Sequence, residues 1–541
     1  MKTRSLVALA ATTIVAAAFT PLTANAATIT AHSSSISGVH SSAIRNLLSG
    51  ATAKPAVSHA TTTGPVTASL TATVNGALTV LADATGTTTA SGANISAVSY
   101  SYGDGSAATT STTHTYATAG TYTITATVTD SAANTATTSV PFTTLGSDYT
   151  AYGPTRILDT RAGTGTNGTI AKVGAGKTLK LKVAGAGTSG NTIPTGVTAV
   201  VMTLTVTNPT GAGFVTAYDD GETTAPTTSS VNYAPGETVP NLVIVPVGSD
   251  GYVDLYNASK GSTDLVADVS GYFTESAGSQ YVAIPDYRLL DTRTGTGQSG
   301  TAVKASSDGT LTVTVAGADS GTLPSTGITA VALNLTVTNS TQAGFLTAYP
   351  SGSSLPNSSN VNFGKGETVP DEVIVPVGAD GKIKIYNASK GTTDIIADVS
   401  GYFTTGTSVT TSAFVPIPPT RMLDTRDPSL WDGNGPLAAN TAYGVATITA
   451  GMGITSLVLN ATVTNSTSNG YITLYPYNSS SSPVPTASNV NYGHNETVAN
   501  LAIASLGTTA DSNGAQDLGI ANVSKGTTDF ILDWSGLFAS E

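Results

Sequence analysis

Hydrophobic and polar positions alternate with a period of two along most of this chain, and that period predicts strands. Between Tyr122 and Asp130, Tyr122, Ile124, Ala126 and Val128 fall on one face with threonines opposite them, the pattern of a half-buried strand. Val200, Met202, Leu204 and Val206 point one way, and Val201, Thr203, Thr205 and Thr207 the other. Leu242 to Val247 is different: a continuous apolar run, which predicts a strand buried on both faces or set between packed layers. Asp250-Gly251 separates that run from Tyr252 to Asn257, and Asp380-Gly381 repeats the arrangement, a hairpin signal in both places. Many short strands at regular spacing, with turn residues between them, predict an all-β chain of sandwiches or jelly rolls.

The strand words recur, and the recurrence sets the organisation. Pro154-Thr155-Arg156-Ile157-Leu158-Asp159-Thr160-Arg161 returns as Asp286-Tyr287-Arg288-Leu289-Leu290-Asp291-Thr292-Arg293 and as Pro419-Thr420-Arg421-Met422-Leu423-Asp424-Thr425-Arg426. Leu204 to Asn208, Val231 to Tyr233 with Gly236 to Val239, and Asp264 to Phe273 each have counterparts in the same order in both later copies. Successive copies lie 132 and 133 residues apart, measured between Asp159, Asp291 and Asp424. Solenoid units run about 20–50 residues, so each copy is expected to be a domain of its own. The expected bounds are 149–275, 280–405 and 413–541. Linkers near Glu275 to Gln280 and Thr405 to Ser412 permit either a rod or a compact packing about a pseudo-threefold axis. These copies resemble a domain with LDTR and DVSGYF words that recurs, often in tandem, in exported actinobacterial proteins. The resemblance implies location and architecture and brings no active site.

Residues 61–145 follow another pattern. Tyr100-Ser101-Tyr102 leads into Gly103-Asp104-Gly105, a word that tolerates positive φ and suits a tight turn. His114-Thr115-Tyr116 and Gly120-Thr121-Tyr122 follow, the latter opening the alternating run to Asp130. These words resemble the polycystic-kidney-disease-type (PKD) domain, with Tyr100 where that family often has Trp. The resemblance implies an immunoglobulin-like β-sandwich, used as a spacer or for protein and sometimes glycan contacts in extracellular bacterial proteins.

The first residues change the picture again. Lys2 and Arg4 precede an apolar stretch from Leu6 to Phe19 and then Ala24-Asn25-Ala26, which predicts a secretory signal peptide over 1–26. That stretch is short for a transmembrane helix, and no second run of about 18 apolar residues follows. Ser-, Thr- and Ala-rich residues 27–60 predict a flexible leader. No hydrophobic tail closes the chain, so a secreted protein, free or associated with a cell surface, is expected. Cysteine is absent, so cohesion is left to hydrophobic cores. A net charge of −12 without a basic cluster argues against nucleic acid and against electrostatic attachment to membranes.

Only 10% of the residues are charged, yet each copy keeps Arg and Asp at fixed places. These are Arg156, Asp159, Arg161 and Asp268; Arg288, Asp291, Arg293 and Asp398; and Arg421, Asp424, Arg426 and Asp533. A planar guanidinium pairs a carboxylate through two parallel hydrogen bonds, so a buried or half-buried ion-pair network is expected. Calcium is the weaker alternative: it takes about six to eight oxygens, and no EF-hand or dense acidic loop supplies them, so no metal ligand is assigned. Paired carboxylates also serve glycoside hydrolysis, but three tandem copies with one spacing read poorly as three active sites. None of His32, His40, His59, His114 and His494 recurs between copies, which removes a shared Ser-His-Asp or His-metal site. No cofactor, no catalytic residue and no enzymatic activity are therefore assigned. Trp431, Tyr475 and Tyr477, peculiar to the third copy or set in its most divergent stretch, are the candidates for glycan contact.

Together these readings predict an extracellular binding or adhesion protein with multivalent β-domains, whose partner is a cell-wall or extracellular polysaccharide or a surface protein. Three weak sites on one chain gain avidity without high single-site affinity. The alternative is a carbohydrate-binding accessory protein; a secreted glycoside hydrolase comes third.

Overall fold

The computed structural model describes residues 30–35, 56–59 and 64–540, apart from 91–92, 223, 299–303, 319–321, 407–408, 432–434, 450–452 and 511–513. The expected signal peptide lies outside the described residues, as does most of the leader. Two leader stretches form strands, because each finds a sheet edge to complete: Ala56–His59 pairs with Ser69–Ala72, and Thr30–Ser35 pairs with Thr441–Ala446. Among the described residues there is no helix, and so none long and apolar enough to cross a membrane. The protein is all-β: an immunoglobulin-like sandwich followed by three further sandwiches.

Each of the three repeats is a jelly roll. In the first, the strands are Asp148–Asp159, Thr178–Lys182, Val197–Thr207, Gly213–Asp219, Val231–Tyr233, Val239–Pro246, Tyr252–Asn257 and Asp264–Thr274. The first, eighth, third and sixth make one antiparallel sheet, and the second, seventh, fourth and fifth the other. Both later repeats have the same order, so the chain crosses between sheets in the jelly-roll manner three times over. Between the sheets, Val200, Met202, Leu204, Val243, Val245, Val253, Leu255 and Ala267 form one core, the expected face of the alternating strands.

The opposite face of the first sheet is buried as well. Ala199, Val201, Leu242 and Ile244 join Ala330, Ala332, Ile374, Val458, Leu501 and Ile503 of the other repeats in a single shared core. At its centre are six aromatic rings, two per repeat. Tyr149 lies against Phe403 with centroids 4.2 Å apart, Tyr281 against Phe538 at 4.3 Å, and Phe414 against Phe273 at 4.3 Å. Each contact joins the first strand of one repeat to the last strand of the next, and the third closes the circle. Backbone pairs close the same circle, each joining a first strand to the residue just before another repeat's first strand: Tyr149 with Ser279, Tyr281 with Ser412, and Phe414 with Ser147. The three repeats thus surround one pseudo-threefold axis, as a compact trimer within one chain.

The glycine of each DVSGYF-like word has its reason here. A Cβ on Gly271, Gly401 or Gly536 would come within 2.1, 2.2 or 2.3 Å of the ring of Tyr149, Tyr281 or Phe414 respectively. Only the absence of a side chain lets those rings lie flat on the eighth strand.

The smaller module occupies one end of this axis. Its two sheets enclose Leu70, Val80, Tyr100, Tyr102, Tyr116, Ile124, Val140 and Phe142. The Tyr102 ring stacks on His114 at 4.4 Å, and His114 reaches Asp104 of the Gly-Asp-Gly turn at 2.7 Å. Ala77, Leu78 and Ala119 pack into the core of the third repeat, and Gly146 N–H donates to the Ala77 carbonyl. One module against three repeats breaks the symmetry. Asp148, Gln280 and Ala413 hold equivalent positions, yet buried Asp148 accepts from Ala119 N–H, Gly278 N–H and the Gln280 amide, while Gln280 also donates to the Ala117 carbonyl. Ala413 packs on the module instead.

Candidate functional site

The repeated Arg and Asp residues meet across the first and eighth strands of every copy. Arg156 Nε and Nη2 donate to the two oxygens of Asp268 at 2.9 and 3.0 Å, and its Nη1 reaches Asp159 at 3.4 Å. Arg161 grips Asp159 with two bonds of 2.9 and 2.8 Å. Arg288 with Asp398 and Asp291, and Arg293 with Asp291, repeat this arrangement. Arg421 with Asp533 and Asp424, and Arg426 with Asp424, repeat it again.

The two carboxylates of each network differ electrostatically. The Arg161 guanidinium holds Asp159 below the usual carboxylate range. Burial acts upward on Asp291 and Asp424, but Arg293 and Arg426 outweigh it. For Asp268 and Asp533, burial prevails and pushes the carboxyl up despite the bonded arginine. At Arg421 burial acts downward, but Asp533 outweighs it and raises the guanidinium that makes the two parallel bonds.

The network also faces a neighbouring repeat. Asp533 accepts from Ser229 N–H at 3.2 Å, and Arg421 donates to the Thr227 carbonyl at 3.2 Å. Arg421→Met would strand Asp533 in a buried place, and we expect a loss of about 3–5 kcal/mol in urea denaturation. Arg421→Met combined with Asp533→Leu should recover most of it, because no unpaired charge then remains.

Beside these pairs lies a ring of amides that the strand pattern gave no reason to single out. Leu501 N–H donates to Asn241, Leu242 N–H to Asp371 and Glu372 N–H to Asn500, at 2.9, 3.3 and 3.0 Å, each bond crossing between repeats. Asn241 and Asn500 donate onward to Asn460 and Asn334. At the third corner stand Asp371 and Thr203 instead. The signal was a polar residue at one position of each apolar sixth strand.

Trp431, Tyr475 and Tyr477 are buried, and none offers a free face to a sugar. The Trp431 indole donates to the Gly435 carbonyl and meets Tyr443 edge-on at 5.4 Å. Tyr475 and Tyr477 lie over Gly519 and Gly444, where an added Cβ would come within 2.6 and 2.1 Å of their rings. Glycines on adjacent strands supply the floor that covers them.

Among the described residues, no three His, Asp or Glu side chains gather as a metal would require. An open concavity lies on the first repeat, between the loop after Arg161 and the strand Thr178–Lys182. It measures about 370 Å³ and is bordered by Thr166, Asn167, Thr169, Lys172, Lys177 and Lys180. Lys180 is engaged by Asp220 and Asp250, and Lys172 by the Asn208 carbonyl. The Glu496 carboxyl is raised, first by desolvation and then by Glu237 and Glu367 of the other repeats, against the Gly493 N–H that it accepts.

Residues 62–144 match the PKD domain family. No curated protein sequence matches the chain. Among solved structures, one on the promiscuous specificity of carbohydrate-binding modules from the β-sandwich superfamily is 12% identical, covering 40% of this chain and 98% of its own, with a TM-score of 0.16. A structure of Sulfolobus Turreted Icosahedral Virus is 10% identical over 76% of this chain and 88% of its own, at 0.17. Another, described as a triple jelly roll fold and turret assembly in an archaeal virus, is also 10% identical, over 76% and 87%, at 0.16. Likenesses this distant carry no argument about function. The PKD match is compatible with an extracellular β-domain binding protein.

Proposed function

We propose that this is a secreted, non-catalytic binding and adhesion protein, in which a PKD module carries a three-lobed head that displays equivalent surfaces in one direction. One observation carries the reading: the three repeats close around an axis whose near end is occupied by the PKD module. Their second set of repeated words, Thr-Asn at 207–208, Gly-Glu-Thr at 236–238 and their counterparts, follows the strand ends opposite Asp148 and so lies away from that module. The repeated Arg and Asp residues are consumed in pairing the first and eighth strands of each lobe, which fits a scaffold better than a hydrolase. Repeated weak contacts from such a head add up to avidity.

The favoured partner is a cell-wall or extracellular polysaccharide, and the groove beside Lys177 is the place where its hydroxyl and anionic groups would find donors. Retention of the purified chain on insoluble wall polysaccharide, with and without calcium, tests this. The expected result is retention that calcium leaves unchanged and that Lys177→Ala weakens about fivefold, a loss of ~1 kcal/mol. No retention on any wall or matrix polymer would remove the polysaccharide reading, and release of reducing sugar would replace it with a hydrolase.

A further inference from the structure

The same sheet edge occurs three times in this molecule and is treated in three ways. It is the outer side of each repeat's second strand, where backbone N–H and C=O groups are left to find partners. In the third repeat the edge is covered: Thr30–Ser35 adds as a parallel strand, in register from Thr30 opposite Thr441 to Ser35 opposite Ala446. Thr441 and Ala442 are accordingly buried. In the first repeat the edge strand Thr178–Lys182 carries Lys180 and Lys182, and Lys177 precedes it. Lysine on an edge is a common device against strand addition. In the second repeat the edge strand is Gly309–Thr314, and among the described residues it has neither protection. Thr310, Thr312 and Thr314 are exposed, and no residue from 309 to 314 is charged.

The register makes these edges equivalent residue by residue. Gly309 pairs with Asn387 and Thr441 with Asn522, the same asparagine of the seventh strand in two repeats. The six residues Gly309 to Thr314 thus correspond to the six residues Thr441 to Ala446 that the leader strand covers. Likewise Thr310 and Thr178 both pair with the tyrosine one place earlier, so Thr312 and Thr314 stand where the first repeat has Lys180 and Lys182.

We propose that the Gly309–Thr314 edge accepts the Thr30–Ser35 strand of a second copy of this chain. Main-chain hydrogen bonds supply the attraction in such strand addition, and the edge already accommodated once has the same length and frame. The donor strand and the accepting edge are different surfaces, so the contact is head-to-tail. It leaves each copy free to accept and to donate again, and it builds open chains of copies instead of closed pairs. The leader's own edge at Thr441–Ala446 competes within the chain, so association grows with concentration.

The full-length mature chain tests this by analytical ultracentrifugation over a wide concentration range. Concentration-dependent growth beyond a dimer is expected. Thr312→Lys with Thr314→Lys, which copies the first repeat's edge at exposed positions, should abolish growth without moving the melting curve. The native chain has no cysteine, so a second readout is clean. Ser33→Cys in one copy and Thr312→Cys in another should form a disulfide on mixing, because Ser33 faces the residue equivalent to Thr312. Ser33→Cys mixed with Lys180→Cys should not. A strictly monomeric chain, association that survives the lysine pair, or equal cross-linking at position 180 would each overturn the proposal.

Discussion

Phe403→Ala is expected to lower the stability of the full chain by about 4 kcal/mol and to split its unfolding into more than one transition. Phe403 lies at the centre of the six-ring cluster, 4.2 Å from Tyr149, 5.3 Å from Tyr281, 6.0 Å from Phe538 and 6.2 Å from Phe273. Those partners come from all three repeats, so a cavity there is shared. A comparable truncation within one sandwich, such as Leu255→Ala, removes contacts from one repeat alone. The two variants should therefore differ in cooperativity. Calorimetry of the Phe403 variant should show the repeats melting apart, while the Leu255 variant should show a lower midpoint for the first repeat with the axis intact. A single sharp transition for Phe403→Ala would mean that the axis core is not what couples the lobes.

Asp371→Asn is expected to act in the opposite direction and to stabilise the protein at neutral pH. Asn241 and Asn500, at the equivalent positions, each donate to a carbonyl of their own repeat, that of Ser230 or Asn489. At the third corner Asp371 Oδ2 is buried with no hydrogen-bond partner, a place where an amide can donate and a carboxylate cannot. Burial drives the Asp371 carboxyl well above the usual range, and the Leu242 N–H is too little to offset it. In the fold the group keeps its proton after the unfolded chain has released one. Between about pH 4, where an ordinary aspartate titrates, and the raised folded value, the native state binds more protons, so stability falls as pH rises. Asparagine removes that slope. The gain at pH 7 reaches at most about 4 kcal/mol, at ~1.4 kcal/mol per pH unit between the unfolded value and neutrality. Asp148, Asp268 and Asp533 are raised by burial too, so the informative quantity is the difference between variant and parent denaturation curves at pH 4.5 and pH 7.5. A difference that does not change with pH would exclude the protonated acid.

Much of the architecture is legible from local pattern, and the remainder fails for a definite reason. The alternation at Val200, Met202, Leu204 and Val206 shows one buried face because a sandwich needs only one. Thr203 and Thr205 look like the outer face of such a strand, yet they are buried too. The residues that cover them come from copies more than a hundred positions away, and no local period records that. The run from Leu242 to Val247 did carry the trace, being apolar on both sides. Arg156 and Asp268 were legible as partners from their repetition, but the loop of the next repeat that lies over such a pair was not. Tyr475 and Tyr477 read as candidates for glycan contact because their cover is an absence, the missing side chains of Gly519 and Gly444.

Joining the three lobes in one polypeptide has a consequence at low protein concentration. A trimer of separate subunits falls apart when it is diluted, because each dissociated partner drifts away and is not replaced. Here the partners of Tyr149, Tyr281 and Phe414 remain tethered at high effective concentration however little protein is present. The head should keep its shape at vanishing abundance. One gene copy also lets each lobe diverge separately, which a homotrimer forbids. That freedom is visible in the three unlike edges, the single aspartate among the amides, and the different residue each lobe sets against the PKD module.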